Sequence, residues 1–159
     1  MNPTVNLRHI GTLPDAAMVF IGALLWSDPS DVLDLVHDDD ITDPQAAVVL
    51  SVIRRLHHAG KPVSPQLVLD ELIRTGARRS TFKAVADAVA SGACPESSRE
   101  YAAAVVAKAL RRRVESGGTA LRSASRSATE AELAPLAAQV AATVTDTAHR
   151  LARLRGEER

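Results

Sequence analysis

The sequence predicts an all-α protein, with a compact five-helix globular bundle followed by a long antiparallel helical hairpin. Three observations carry this. Apolar residues recur at intervals of three and four almost throughout, with only short β-branched runs. Helix starts are written plainly as Asp-Pro or Ser-Pro pairs, and glycines stand where the apolar stripes stop. The C-terminal third carries a seam that alternates spacings of four and three.

Leu13-Pro14-Asp15 opens a first helix through about Trp26, Pro14 being tolerated in the first turn because its missing N–H would be unpaired anyway. Asp28-Pro29 starts a second, to about His37. Asp43-Pro44 starts a third, with Val49, Val52, Ile53 and Leu56 on its apolar side and Gly60 as its stop. Ser64 caps a fourth, which carries Leu67, Val68, Leu72 and Ile73 and closes at Gly76. A fifth runs from Ser80 or Thr81 through Phe82, Val85, Ala86 and Val89 to Gly92. These five amphipathic helices can enclose one core, assigned to residues 13–94. Residues 1–12 are expected to form a disordered N-terminus.

Residues 95–159 read differently. A long helix opens at Ser97 or Ser98, with Ala102, Val106, Leu110, Val114 and Leu121 as its stripe, and the polar run from Ser123 to Ser127 reads as a turn. Thr129 and Glu132 form a capping-box pattern, although Pro135 beyond them obscures the true start. The seam Leu133, Ala137, Val140, Val144, Thr147, Leu151 and Leu154 follows, completing a hairpin. Gly117-Gly118 costs the helix roughly 1 kcal/mol per glycine relative to alanine, so a kink or a tight helix crossing is expected there. A hairpin two helices thick has too little core of its own. Its outer apolar face needs the globular half, a different protein or, as favoured here, a second copy.

Composition narrows the function. The 159 residues have zero formal net charge and 46% hydrophobic content, which suits an ordinary folded protein and argues against a strongly electrostatic nucleic-acid binder. No apolar run approaches the roughly 18 residues of a membrane span, and no signal peptide opens the chain. The single cysteine, Cys94, points to a reducing cytoplasm. Charge is nonetheless uneven. Seven aspartates and no lysine or arginine lie between Asp28 and Asp43, whereas six basic residues face only Glu115 between Lys108 and Arg126. Two solvated helix faces are the plainer account. An acidic and a basic corner that choose partners or stack subunits is the sharper one.

No catalytic or cofactor chemistry is written in the chain. Gly60-Lys61 comes nearest to a P-loop, but Pro62 follows and Arg55 stands where the first glycine should be. His57 and His58 are adjacent on a helix, so their side chains diverge by about 100° and do not chelate one ion together. Asp38-Asp39-Asp40 lacks the separated carboxylates of a calcium loop and reads as a solvated connector. Cys94 sits beside Pro95 in an apparent loop, with no local feature that marks a reactive thiol. Phe20, Trp26 and Phe82 lie on apolar helix faces as core residues, leaving few aromatic platforms for single-stranded nucleic acid. No enzyme, no cofactor and no metal are expected.

Several phrases occur in a recognisable order: Phe20 to Leu25; Ile41-Thr42-Asp43-Pro44 followed by Val49 to Ile53; Gly60-Lys61-Pro62; and Tyr101, Ala102, Val105, Lys108, Ala109 and Arg112. Together they resemble the N-terminal, collar domain of the DnaB-type replicative DNA helicases, over about Leu13 to Leu121. The chain departs from that pattern at Ile41 and Thr42, where the family has an aromatic pair, and at Ala46, where it has a histidine. Arg78 to Phe82 replaces a Gly-Gly-x-x-Tyr-Leu phrase. A primase domain that binds the helicase shares a similar plan, but Lys108 to Arg113 points to the helicase side.

The resemblance implies a stand-alone, diverged collar without the ATPase motor. It would be a non-catalytic interaction module of DNA replication that forms a homodimer through its hairpin and binds or regulates a replicative helicase, primase or helicase loader. The expected interface residues are Val106, Leu110, Val114, Leu121, Val140, Val144 and Leu151. Lys108, Arg111, Arg112, Arg113 and Arg122 are candidate partner or phosphate contacts. The alternative is a phage- or plasmid-linked accessory protein, DNA-binding or structural, that uses the basic hairpin face without helicase contact.

Overall fold

The computed structural model describes residues 15–157. The expectations for residues 1–12 and for Leu13-Pro14 lie outside the described residues. Among the described residues there are six α-helices: α1 (Ala16–Leu24), α2 (Pro44–His58), α3 (Pro65–Arg74), α4 (Arg79–Val89), α5 (Ser98–Ser127) and α6 (Glu130–Arg155), with short 3₁₀ turns at Leu33–Leu35, Asp38–Asp40 and Pro95–Ser97. Helices α1 to α4 form a head, and α5 and α6 form the hairpin.

Local chemistry sets most boundaries where the sequence puts them. Asp43 accepts a hydrogen bond from the Gln45 amide at 2.8 Å and Ser64 from Leu67, with Pro44 and Pro65 in the first turns of α2 and α3. The connection after α2 turns at Gly60, in the left-handed conformation that glycine adopts without steric cost. Gly22 answers a different need. A Cβ there would stand 2.5 Å from the Ala88 carbonyl oxygen and from Ser91 Oγ, so this glycine lets α1 approach the end of α4.

The expected second helix is not an α-helix. Asp28 holds the Ser30 amide at 3.0 Å, the Val32 and Leu33 amides bond Pro29, and the chain then passes through the 3₁₀ turn Leu33–Leu35. Arginines take the carbonyls that a helix would have used. Arg54 bonds Val36 at 2.6 Å and Leu33 at 3.4 Å, and Arg150 bonds Leu35 at 2.9 Å. The apolar residues of this segment, Val32, Leu33, Leu35 and Val36, are still buried. The globular half is therefore four α-helices and an irregular, arginine-tied segment.

One core joins the head to the base of the hairpin. Phe20, Ile21, Leu24, Leu50, Ile53 and Leu72 are fully buried, and Ala102, Val105, Val106, Leu151 and Leu154 belong to the same cluster. Phe82 packs half-buried against it. Trp26 does not join the core. It follows the buried Leu25 at the end of α1 and is 57% exposed.

The hairpin turn also differs from expectation. Helix α5 continues through the polar run to Ser127, and the chain reverses at Ala128 and Thr129. Ser125 and Ser127 donate to the carbonyls of Arg122 and Ser123, so their hydroxyls are satisfied within the helix instead of breaking it. The capping box is formed: the Thr129 amide and hydroxyl both donate to Glu132 at 2.8 Å. Helix α6 starts at Glu130 and runs through Pro135. At the base, Arg99 of α5 donates to the Leu154 and Arg153 carbonyls at 2.9 and 2.7 Å, pairing groups left open at the end of α6.

The two central glycines behave differently. At Gly117 a Cβ would lie 2.5 Å from Val140 Cγ1, the tight crossing expected, whereas at Gly118 it would meet nothing within 4 Å. Gly118→Ala is expected to stabilise the protein by up to about 1 kcal/mol through helix propensity. Gly117→Ala is expected to cost about 1–3 kcal/mol by overpacking the crossing, partly offset by that same gain. Urea unfolding of both variants checks this, and equal effects at the two sites would contradict the crossing.

Candidate interaction surface

The hairpin divides at Arg113. Below it the two helices pack on the head. From Val114 to Asp146 the only buried residue is Gly117, so the distal half is an arm with solvent on most of its surface. The expected interface residues fall on both sides of this division. Val106 and Leu151 are buried in the chain's own core and cannot also present to a second chain. Leu110 is half-buried against that core. Leu121, Val140 and Val144 lie half-buried along the arm, and Val114 is 53% exposed. Leu133 and Leu136 are half-buried on the arm as well, and Leu136 lies beside the Gly117–Val140 crossing.

The charged residues at the division are arranged by a buried carboxylate. Asp40 is not part of a solvated connector, because its side chain has no exposed surface. Its Oδ1 accepts from Arg113 at 2.6 Å and Arg150 at 3.2 Å. Its Oδ2 accepts from Arg150 at 2.6 Å and from the His37 amide at 2.7 Å. Four donors thus fill both oxygens. Arg113 continues to Thr147 Oγ1 at 2.9 Å and Asp39 at 2.8 Å, and Arg150 to Asp146 at 3.1 Å. No described buried side-chain nitrogen or oxygen lacks a hydrogen-bond partner.

Burial by itself would raise the Asp40 pKa. The hydrogen bonds from Arg150 and the His37 amide, the charge of Arg150 and the bond from Arg113 outweigh it, holding the carboxyl below its ordinary value. Burial likewise works against the Arg150 charge, but the bonds and charges of Asp40 and Asp146 raise its pKa.

This clasp changes the reading of the basic run. Arg113 faces inward, with its side chain 13% exposed, so it is an internal strut and not a partner contact. Arg112 donates to Thr42 Oγ1 at 2.9 Å and to the Asp39 and Asp40 carbonyls at 2.7 and 3.2 Å. Lys108 pairs with Asp15 at 2.7 Å on the surface. Arg111 and Arg122 are exposed and make no hydrogen bond or ion pair with a described residue. The acidic and basic segments therefore meet within one chain. Arg150, which the sequence places off the seam, was missed as a member of the cluster.

Elsewhere, the His57 and His58 rings stand 6.0 Å apart and tilted. Among the described residues no group of three or more histidines, cysteines or carboxylates could hold a metal ion. No described helix is long and apolar enough to cross a membrane.

A helical head with a projecting hairpin is the architecture of a replicative-helicase collar domain. The family model described as "DnaB-like helicase N terminal domain" matches residues 12–107, and the chain belongs to that family. Among solved structures, it is similar to the N-terminal domain of DnaB helicase from Mycobacterium tuberculosis, with 26% identity and a TM-score of 0.70 over 82% of this chain and 94% of that one. Comparison with curated proteins gives no match. This is a helicase-related replication module, and its 159 residues contain no ATPase domain.

Removing the Asp40 charge leaves two arginines facing each other, so Asp40→Asn is expected to cost about 3–5 kcal/mol at neutral pH. Because the folded pKa lies below the unfolded value, near 3.9, the clasp's contribution is full above that value. It is lost as pH falls through the folded pKa. Urea unfolding across pH should show the difference between wild type and variant shrinking below about pH 4. A difference constant down to the lowest pH at which both fold would contradict the clasp.

Proposed function

We propose that this chain is a non-catalytic interaction module of DNA replication. It dimerises through the distal arm of its hairpin and binds or regulates a replicative helicase, primase or helicase loader. The observation that carries this reading is the arm itself. Between Val114 and Asp146 two helices project with almost no core of their own, yet Val114, Leu121, Leu133, Leu136, Val140 and Val144 line them. Such a face is stabilised by covering it, at roughly 25 cal/mol per Å² of apolar surface removed from water. A second copy supplies an identical face and closes the contact about a two-fold axis.

Family membership supports the replication setting. The clasp supports protein contact over duplex DNA binding, because Arg113 turns inward to the carboxylates of Asp39 and Asp40 and the arginine run no longer forms one continuous basic face. The head would then set the direction of the arm, and the surfaces left open on both would meet the partner.

Val114 is outside the core, so Val114→Asp tests the arm without unfolding the head. Sedimentation is expected to show a dimer for wild type and a shift toward monomer for the variant, with unchanged helical circular dichroism. A wild-type monomer at every concentration would falsify the dimer. In capture experiments with the purified helicase, primase and loader of the same host, at least one is expected to be retained. Retention of none would remove the replication-partner reading.

A further inference from the structure

We propose that the cleft between the start of α1, the Asp40–Thr42 segment and α5 binds an acidic, apolar segment of a partner protein; this rests on the interaction-module reading above and names the chemistry of one contact. Lys108, Arg111, Arg112 and Glu115 stand three, four and seven residues along one face of α5, and all line this cleft. Its apolar lining comes from Ala16, Ala17, Ile41 and Val105. The volume, about 360 Å³, is enough to take one or two side chains and lies at the low end for ligand pockets.

Among the described residues the charge on this face is only partly balanced. Arg112 is held by a hydroxyl and two backbone carbonyls, so its guanidinium is fixed in place while its positive charge has no carboxylate partner. Arg111, next to it, makes no hydrogen bond or ion pair with a described residue. Lys108 has Asp15, but as an exposed pair worth little and easily exchanged. Asp40 is at the back of the cleft, with both oxygens already filled by Arg113, Arg150 and the His37 amide. An incoming carboxylate would therefore meet a preorganised arginine and a second free one beside an apolar floor.

The same geometry disfavours a phosphate backbone. Glu115 and Asp15 stand at the cleft and repel a continuous run of negative charge, while a discrete carboxylate beside an apolar side chain fits between them.

The test uses the full chain and a short fluorescein-labelled peptide carrying a single glutamate between leucines, followed by fluorescence anisotropy. Saturable binding is expected. Arg111→Glu should weaken it by about tenfold or more, and a peptide with glutamine in place of glutamate should not bind. Circular dichroism of the variant should match wild type, since Arg111 bonds no other described residue. Three results would overturn the proposal: no binding by wild type, equal binding by Arg111→Glu, or displacement of the peptide by an unlabelled DNA duplex. Sedimentation of the same samples separates the two readings. A dimer that does not bind the peptide removes the cleft alone, whereas a peptide-binding monomer removes the arm contact and keeps the cleft.

Discussion

Asp40 is the point on which the arrangement of head and hairpin turns. It is a fully buried carboxylate from the irregular segment of the head, held by one arginine from each helix of the hairpin. Burying a charge is expensive unless every lone pair and proton is matched. Here the geometry meets that condition, with four donors on two oxygens and further acceptors for both guanidiniums. Apolar packing holds the base of the hairpin to the head. The clasp lies at the last level of that packing, immediately before the arm leaves the core. It also reaches back into the head, because Arg150 takes the Leu35 carbonyl and Arg112 those of Asp39 and Asp40. The loss of an α-helix at residues 28–37 and the direction of the arm are thus linked. Arg150 of the hairpin, together with Arg54 of α2, satisfies backbone that would otherwise have needed a helical turn.

The fold class was legible because it rests on local chemistry. Caps at Asp43, Ser64 and Thr129, prolines at first-turn positions and the spacing of Val49, Val52, Ile53 and Leu56 are written within a few residues of one another. The Gly117-Gly118 pair was legible as a kink or a tight crossing, and Gly117 is the one that makes the crossing. The misreadings have the opposite character. Asp28-Pro29 carries the same start signal as Asp43-Pro44, yet distant arginines override it. Ser123 to Ser127 looks like a turn by composition and is helical because the hydroxyls bond their own helix. The clasp joins residues separated by 73 to 110 positions, and no periodicity encodes such a pairing. An aspartate run and an arginine run were visible, but not that they answer each other. Trp26 directly follows the core residues Leu24 and Leu25 but turns outward to solvent.

In functional terms the molecule has an anchored part and an unanchored part. The anchored part explains why Val106, Leu151 and Arg113, chosen from sequence as contacts, are internal. The unanchored part, the arm beyond Arg113, keeps apolar side chains that its two helices cover only in part, with Val114 exposed. Family membership, matched over residues 12–107, gives the chain a replication setting, and a second copy is the cover we propose for the arm. The cleft at Arg111 and Arg112 lies beside the clasp, where the head meets α5, so a segment bound there would touch both bodies whose relation the clasp fixes.

Hydrogen–deuterium exchange at several protein concentrations tests this division most directly. The account predicts that amides from 114 to 146 become more protected as concentration rises, while those from 98 to 113 stay protected throughout. Exchange in the arm that is independent of concentration would contradict the claim that a second copy covers it.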